Sequence, residues 1–223
     1  MTSPSEGVRL DSSLRRGFDV ILSVLGLVLL SPLLLTLGFL VRWSSPGPAI
    51  YWQERVGRGG ELFQILKFRT MAVDADLAGP PVSGESDPRV TAVGRWLRAH
   101  RLDELPQLVN VTRGDLTIFG PRPEVAHYVE HYTDEERELL RVRPGVLGPG
   151  AILFAKSHAA ELDSVSDPDT YYIHHQLHDK LALDLEYLRD RSLGRELAIL
   201  TRTLGVVVPA LERHRLRQGG PRS

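Results

Sequence analysis

The dominant feature of the hydropathy pattern is an apolar run from Phe18 to Val41 that Ser31-Pro32 interrupts near its middle. About 20 apolar residues suffice to cross a bilayer. Positive charges stand on both sides of the run, at Arg15, Arg16, Arg42, Arg55 and Arg58, so the imbalance that orients a crossing helix is missing. Pro32 removes a backbone donor and Ser31 is able to satisfy a freed carbonyl. We therefore expect a re-entrant helix over residues 14–43, kinked at Ser31-Pro32; a straight span is the alternative.

The remaining pattern predicts short strands and helices. Two strand-like runs surround Gly57–Gly60 and predict a β-hairpin, in which Lys67 and Arg69 share one strand face. The expected strands are Ala49–Val56 and Leu62–Arg69. The expected helices are Thr91–His100, one that starts at Asp103, a surface helix over Glu124–Arg143, and two more over Tyr171–Arg191 and Arg195–Arg217.

The fold class that follows is α+β and mostly helical, with a small hairpin and amphipathic helices at a membrane interface. Arg195–Arg217 places leucine and valine on one side and arginine near the other. This pattern suits either an interfacial helix or a core helix with a solvated face. Residues 1–13, rich in serine, proline and glycine, predict a mobile tail. Residues 44–218 then form one domain.

Composition excludes several classes of protein. The formal net charge is −1 over 223 residues, which argues against a globally basic nucleic-acid binder, and we expect no nucleic-acid partner. The chain contains no cysteine, so disulfides, thiolate metal sites and a cysteine nucleophile are all ruled out.

Asp103-Glu104 is the first candidate for chemistry. Adjacent carboxylates at a helix start are able to hold a divalent cation, and one of them is able to act as a nucleophile. Arg95, Arg98 and Arg101 precede the pair, which suits a substrate that carries phosphates. The competing interpretation is ordinary: Asp as an N-cap and Glu in the first turn stabilise many helices.

Other candidates are weaker taken alone. Lys67 and Arg69 are able to grip a diphosphate, but a strand that ends in cations where it meets solvent is the alternative. Arg122 lies between two prolines that fix its backbone, which also describes an ordinary rigid turn. Asp74-Ala75-Asp76 resembles a short metal-binding motif that also arises often by chance. The histidines at 174, 175 and 178 lack a completing carboxylate nearby, so we interpret them as a surface cluster.

The order of the motifs is far more specific than any one of them. Along the chain stand Arg16–Asp19, Ser31-Pro32, Ser45–Pro48, Gln53–Gly57, Lys67–Met71, Leu102–Gln107, Asn110–Asp115, Gly120–Pro123 and Arg143–Gly145. This series resembles the bacterial sugar transferase family, the monotopic phosphoglycosyl transferases. The resemblance covers residues 14 to 148 well and the C-terminal helices more loosely.

The resemblance implies an enzyme of the bacterial inner membrane whose domain faces the cytoplasm and contacts membrane lipids. Such an enzyme transfers a sugar 1-phosphate from a UDP-sugar to polyprenyl (undecaprenyl) phosphate and releases UMP, in the first membrane step of a surface glycan pathway. It further implies that Asp103 is the nucleophile of a covalent phosphosugar intermediate and that Asp103 and Glu104 hold Mg²⁺. Lys67, Arg69, Arg98 and Arg122 are the implied phosphate contacts. A homodimer is compatible with the resemblance.

One segment departs from the family pattern. The usual Pro-Gly-Ile-Thr-Gly-Trp-Ala-Gln-Val-Asn-Gly-Arg block is replaced after Gly145, and Leu147–Lys156 lacks its threonine, tryptophan, glutamine and terminal arginine. The identity of the sugar is therefore left open. This departure makes a catalytically silent family member, which acts as a partner in glycan assembly, one alternative. A single-span protein whose domain faces outward is a separate alternative.

Overall fold

The computed structural model describes residues 13–151 and 160–203. Its first element is α1, Ser13–Ser44, a single helix that contains Pro32. Within the described ranges it is the one helix long and apolar enough to cross a membrane. Most of its large apolar side chains are exposed, among them Phe18, Leu29, Leu35 and Phe39. The apolar segment predicted from hydropathy is confirmed as a helix, and its path through a bilayer stays a prediction.

The Ser31-Pro32 pair is compensated locally. Pro32 has no N–H to donate to the carbonyl four residues earlier, which is that of Val28. The Ser31 hydroxyl donates to this carbonyl oxygen at 2.8 Å, and the Thr36 hydroxyl donates to the Pro32 carbonyl oxygen at 2.8 Å. The expectation that Ser31 satisfies the freed carbonyl is confirmed, and the helix continues past the proline.

The predicted hairpin is also confirmed. Strands β1 (Ile50–Val56) and β2 (Leu62–Phe68) pair antiparallel, with Tyr51 opposite Lys67. The turn between them is a short 3₁₀ segment, Arg58–Gly60, in which Gly59 and Gly60 have positive φ. Only glycine adopts this conformation without strain, so the glycines of the turn fix its shape.

The C-terminal end of α1 belongs to the core of the domain. Leu37 and Val41 of α1 pack with Phe68 of β2 and Leu97, and all four are buried. Leu97 lies in α2 (Ala92–Ala99), which begins where the Thr91 hydroxyl accepts a hydrogen bond from the Gly94 amide. The helix predicted over Thr91–His100 is thereby confirmed, and the structure adds that Thr91 is its N-cap.

The N-terminal end of α1 is attached to the same domain by polar contacts. The Arg16 guanidinium donates to the Thr112 carbonyl oxygen at 2.8 Å and to that of Val111. The buried Asp19 carboxylate accepts a hydrogen bond from the Thr117 hydroxyl at 2.6 Å. Because Leu37 and Val41 pack on the domain at the other end, the domain contacts α1 along most of its length.

Two expectations about helices were wrong. No helix starts at Asp103: a 3₁₀ turn spans Leu102–Glu104, and α3 is Gln107–Arg113. Pro106 has no N–H to close an α-helical bond to Leu102, so the chain takes the tighter turn instead.

The predicted helix over Glu124–Arg143 is interrupted. It contains α4 (Ala126–Val129) and a separate 3₁₀ segment, Glu136–Arg141. A reciprocal pair between Thr133 and Glu136, in which each backbone N–H donates to the other side chain, starts the second segment afresh. Tyr128, Val129, Tyr132 and Leu139 are buried in the main core, so the region is not a surface helix.

The remaining elements are a small parallel sheet and the helices that follow it. Strands β3 (Thr117–Phe119) and β4 (Gly145–Leu147) form a short parallel pair. Helix α5 (Pro168–Tyr171) continues through a π-helical turn, Tyr172–Leu177, into α6 (His178–Arg189), which confirms most of the helix predicted over Tyr171–Arg191. Residues 193–203 are helical and form α7. The rest of the predicted helix over Arg195–Arg217, most of the predicted tail at 1–13 and the end of Leu147–Lys156 lie outside the described residues.

Candidate functional site

A cavity of about 910 Å³ lies beside the hairpin and contains most of the predicted site residues. Its walls come from β1 and β2, from α2 with the 3₁₀ turn after it, from the loop before α4, and from the π turn and α6. The charged and hydroxyl-bearing side chains that line it include Lys67, Arg98, Arg101, Asp103, Glu104, Arg122, Tyr172 and Lys180. This volume is in the range of pockets that enclose small organic ligands.

Asp103 is the reactive candidate in this cavity. It follows Arg101, whose backbone is left-handed with φ 54°, and this sharp turn sets the orientation of the 3₁₀ segment. Its side chain is buried at the cavity wall, with no hydrogen-bond or ion-pair partner among the described residues. Burial and the neighbouring Glu104 carboxylate raise the pKa of Asp103, while Lys67, Arg98 and Arg101 oppose that rise. An unpaired carboxylate among cations is able to attack an electrophile that the cations hold.

Glu104 has the opposite environment. Arg122 donates to both of its carboxylate oxygens, at 3.3 Å for Nη1 to Oε2, and Arg101 donates to Oε2 at 3.2 Å. Burial would raise the pKa of Glu104, but these two guanidiniums hold it well below its usual range. Glu104 is therefore ionised and fixes the Arg122 side chain through a bidentate pair.

The cations that line the cavity differ in the hydrogen-bond and ion-pair partners that they already have. Burial, helped by Arg55 and Arg122, lowers the pKa of Lys67 to about 7. No acceptor within hydrogen-bond distance of the Lys67 ammonium is present in the described part of the chain. Arg98 donates to the hydroxyls of Thr70 at 2.9 Å and Ser83 at 2.7 Å, with no carboxylate at ion-pair distance in the same ranges. Arg98 therefore has positive charge to offer an anionic ligand, and Lys67 has it in its protonated form.

Arg69 also lines the cavity, but its guanidinium has structural partners. It donates to the Ser45 carbonyl oxygen at 2.9 Å and to that of Pro46. Both carbonyls belong to the connection between α1 and β1, so Arg69 ties the end of the membrane helix to the hairpin.

Sequence reasoning missed Asp184. This carboxylate of α6 is fully buried and accepts hydrogen bonds from the backbone N–H of Arg122 at 3.2 Å and of Gly150 at 3.0 Å. Burial raises the pKa of Asp184 to about 6. It joins the loop that carries Arg122 to the start of the segment that departs from the family pattern. A charged residue within the apolar stretch Leu181–Leu185 was the available signal in the sequence.

A second buried network supports the same loop from the other side. Glu124 accepts hydrogen bonds from Tyr172 at 2.9 Å, from Arg55 at 3.2 Å and from Lys180. Arg55 also donates to the Pro123 carbonyl oxygen at 3.1 Å. The backbone on both sides of Arg122 is therefore held by buried groups, which confines its guanidinium to the cavity.

The residues present fit a magnesium ion only if a ligand completes its coordination. No cluster of three or more His, Asp or Glu side chains suitable for a metal occurs in the part of the chain that the structure describes. Asp103 offers unpaired oxygens, and Glu104 stands next to it. Mg²⁺ in enzymes is commonly held by one or two carboxylates together with substrate phosphates, which matches this pair.

The other metal candidates have different partners. Asp76 accepts a hydrogen bond from the Tyr51 hydroxyl, at 2.9 Å to each carboxylate oxygen. His174 and His175 are exposed, and the His178 ring pairs with Glu136 at 2.7 Å. The interpretation of these histidines as a surface cluster agrees with their positions.

Comparisons with known proteins point in one direction. The model of a family described as bacterial sugar transferase matches residues 10–210. A UDP-N-acetylgalactosamine-undecaprenyl-phosphate N-acetylgalactosaminephosphotransferase of Aeromonas hydrophila is 34% identical over 87% of this chain and 44% of its own length. An undecaprenyl-phosphate galactose phosphotransferase of Salmonella typhimurium is 36% identical over 87% of this chain and 40% of its own length.

A third relative is nearer to this chain in length. A UDP-glucose:undecaprenyl-phosphate glucose-1-phosphate transferase of Caulobacter vibrioides is 38% identical over 85% of this chain and 68% of its own length. The chain thus spans less than half of the first two relatives and about two thirds of the third.

Proposed function

Because this chain belongs to the bacterial sugar transferase family, we propose that it transfers a sugar 1-phosphate from a UDP-sugar to a polyprenyl phosphate and releases UMP. The three relatives named above are undecaprenyl-phosphate sugar phosphotransferases by name, and two of those names include a UDP-sugar. The relatives differ in the sugar, so the donor of this chain is left at the level of a UDP-sugar.

The observation that carries the proposal is the contrast between two adjacent carboxylates. Asp103 faces the cavity with no partner among the described residues, whereas Glu104 is fixed by two arginines. We assign the nucleophile to Asp103 for this reason. Lys67, Arg98 and Arg122 surround it and supply the positive charge that a diphosphate requires. Arg69 is hydrogen-bonded to the connection after α1, so we assign it only a supporting role in phosphate binding, at the edge of this cluster of cations.

The reaction then has two steps at one phosphorus. An oxygen of Asp103 bonds to the phosphorus next to the sugar, and the bond from that phosphorus to the bridging oxygen breaks, so UMP leaves with the electron pair. An oxygen of polyprenyl phosphate next bonds to the same phosphorus, and the Asp103 carboxylate leaves. The cations stabilise charge on the non-bridging oxygens in both steps.

Asp103 and Glu104 would hold a Mg²⁺ ion together with the substrate phosphates. When bound, such an ion neutralises phosphate charge and makes the phosphorus easier to attack. Arg122 and Arg101 keep Glu104 ionised at neutral pH, so its negative charge would attract the ion, although both of its oxygens also accept hydrogen bonds from these arginines.

We further propose that α1 lies in the inner membrane as a re-entrant element, with the domain on the cytoplasmic face. Contacts at both ends of α1 support this topology: Arg16 and Asp19 bond to the domain near the N-terminus, and Leu37 and Val41 pack on it near the C-terminus. In a straight span, one end of the helix would lie about 30 Å from a domain on the opposite face.

The test is UMP release from a set of UDP-sugars with undecaprenyl phosphate and Mg²⁺, in wild type and in Asp103→Asn. The variant is nearly isosteric and loses the nucleophilic charge, so we expect release with at least one sugar in wild type and loss of at least about 1,000-fold in the variant. Wild-type rates in Asp103→Asn would remove the nucleophile assignment. Silence of the wild type with every sugar would favour the non-catalytic partner instead.

A further inference from the structure

A second cavity, separate from the site, lies between the membrane helix and the domain. It is an apolar groove of about 670 Å³, defined here by Leu34, Gly38 and Phe39 of α1, Ile50 of β1, Phe68 of β2 and Val109 of α3. Its one charged lining residue, Arg42, donates to the Gly47 carbonyl oxygen at 2.9 Å. We call it the helix groove.

The helix groove and the catalytic cavity meet at one side chain. Phe68 lines both of them. The residues beside the groove in sequence also belong to the site: Lys67 precedes Phe68, and Pro106 of the groove wall follows Asp103 by three positions. A molecule with a phosphate in the cavity would therefore have the helix groove directly behind Phe68.

The groove also opens toward the expected lipid. Its outer wall is formed by α1, where Leu35 and Phe39 are 76% and 67% exposed. An apolar ligand would enter from the hydrocarbon region without exposing its surface to water, which removes the main cost of transfer. The groove volume suits a drug-sized apolar group, so it would hold only a short length of a long chain.

We propose that the helix groove binds the phosphate-proximal isoprene units of the polyprenyl phosphate acceptor. This inference rests on the proposed function, which supplies the class of acceptor. The polar head would lie at Asp103 on the other side of Phe68, while the distal part of the chain stays in the bilayer. An acyl chain of an ordinary phospholipid is the other occupant, and the experiment below separates the two.

Gly38→Leu tests the groove because the added side chain would fill it. A Cβ atom at Gly38 would lie 3.7 Å from the Phe68 ring and 3.9 Å from the Ala49 methyl, so the backbone accepts a side chain there. Gly17→Leu is the matched control on the same helix, since nothing lies within 4 Å of a Cβ at that position. Both variants increase the apolar surface of α1 equally.

The two half-reactions are measured apart. We expect Gly38→Leu to raise the KM for undecaprenyl phosphate by about 10-fold, as one lost apolar contact region would. UMP release in a single turnover without acceptor should stay unchanged, and Gly17→Leu should match wild type in both assays. An unchanged acceptor KM in Gly38→Leu would overturn the proposal and leave a phospholipid chain as the occupant.

Photo-crosslinking keeps the inference testable if Gly38→Leu fails to fold or if no UDP-sugar is turned over. A polyprenyl phosphate with a photoreactive group on its first isoprene unit should label wild-type peptides from α1 and α3, and excess undecaprenyl phosphate should suppress that labelling. Labelling confined to other peptides, or labelling that phospholipid suppresses equally well, would contradict the assignment. This readout needs no catalysis, so its failure is distinct from failure of the proposed function.

Discussion

At the scale of residues, neighbouring side chains in one turn acquire different chemistry from their surroundings. Asp103 and Glu104 are adjacent in sequence, yet Glu104 pairs with Arg101 and Arg122 whereas Asp103 has no such partner within the described ranges. Ion pairing holds the pKa of Glu104 low, and burial raises that of Asp103. The division of roles that we propose, a nucleophile beside a fixed carboxylate, depends on this difference.

Lys67 predicts a dependence on pH. Its pKa is lowered to about 7 by burial and by Arg55 and Arg122, so the free protein loses this positive charge as the pH rises through 7. We expect kcat/KM for the UDP-sugar to fall on the alkaline side of this pKa. In Lys67→Arg, whose guanidinium keeps its proton, the decline should be absent up to about pH 9. A wild-type profile that stays flat from pH 6 to 9 would contradict the assigned role.

At the scale of elements, α6 acts on the site through Asp184. The two oxygens of this carboxylate accept one backbone N–H each, from Arg122 and Gly150. Helix α6 thereby sets the position of a loop more than 60 residues earlier in the chain. We regard Asp184 as a positioning residue, because it contacts the Arg122 backbone and is not among the residues that line the cavity.

Asp184→Asn should separate activity from stability. An amide has one acceptor oxygen, so one of the two N–H bonds is lost and the Arg122 loop shifts; we expect kcat/KM for the UDP-sugar to fall about 10-fold. Burial raises the pKa of Asp184 to about 6, so the carboxylate that is ionised at pH 7 carries a desolvation cost in the folded state. The neutral amide of asparagine does not carry that cost. The thermal midpoint should therefore change by only a few degrees.

The control for this substitution is Asp179→Asn, an exposed change on the same helix. It should leave both the rate and the thermal midpoint unchanged. Equal kinetics in Asp184→Asn and wild type would exclude the positioning role, and a large fall in the midpoint would make the role one of folding.

Elements with local signals were predicted well from the sequence. The hairpin followed from two alternating runs around glycines, and α2 followed from its apolar stripe. The interruption of Glu124–Arg143 was missed although Thr133 and Glu136 have capping-box spacing, which is a signal for the start of a new helical segment. Tyr128 and Tyr132 are buried in the core, so the region is not the surface helix that was predicted.

The site residues that belong to sequence motifs were predictable, and the contacts between distant parts of the chain were not. Lys67, Arg98, Asp103, Glu104 and Arg122 were all named from the sequence, and the structure brings them to one cavity. The pairing of Glu104 with Arg122 and the bonds of Asp184 join distant parts of the chain. Local periodicity carries no information on such contacts, so these had to come from the fold.

At the scale of the whole molecule, α1 and the domain form one packed unit. Leu37 and Val41 belong to a buried cluster with Phe68, while Arg16 and Asp19 bond near the other end. A protein built in this way is expected to hold its site at the membrane interface. A water-soluble donor and a lipid-anchored acceptor could then meet at Asp103.

The topology predicts which side of the membrane each end of α1 faces. The chain has no native cysteine, so Ser13→Cys and Glu61→Cys introduce single labels at two exposed positions. We expect a membrane-impermeant thiol reagent to reach neither in intact cells and both after permeabilisation. Labelling of Ser13→Cys alone in intact cells would support a straight span, and labelling of Glu61→Cys in intact cells would place the domain outside.

The central claim is that Asp103 carries the phosphosugar, and intact-protein mass spectrometry tests it most directly. The wild-type protein is incubated with its UDP-sugar and Mg²⁺ in the absence of polyprenyl phosphate. The account predicts a gain of one sugar phosphate per chain that maps to the peptide containing Asp103, disappears when undecaprenyl phosphate is added, and never forms in Asp103→Asn. UMP release that requires the acceptor, with no adduct trapped under these conditions, would contradict the covalent mechanism.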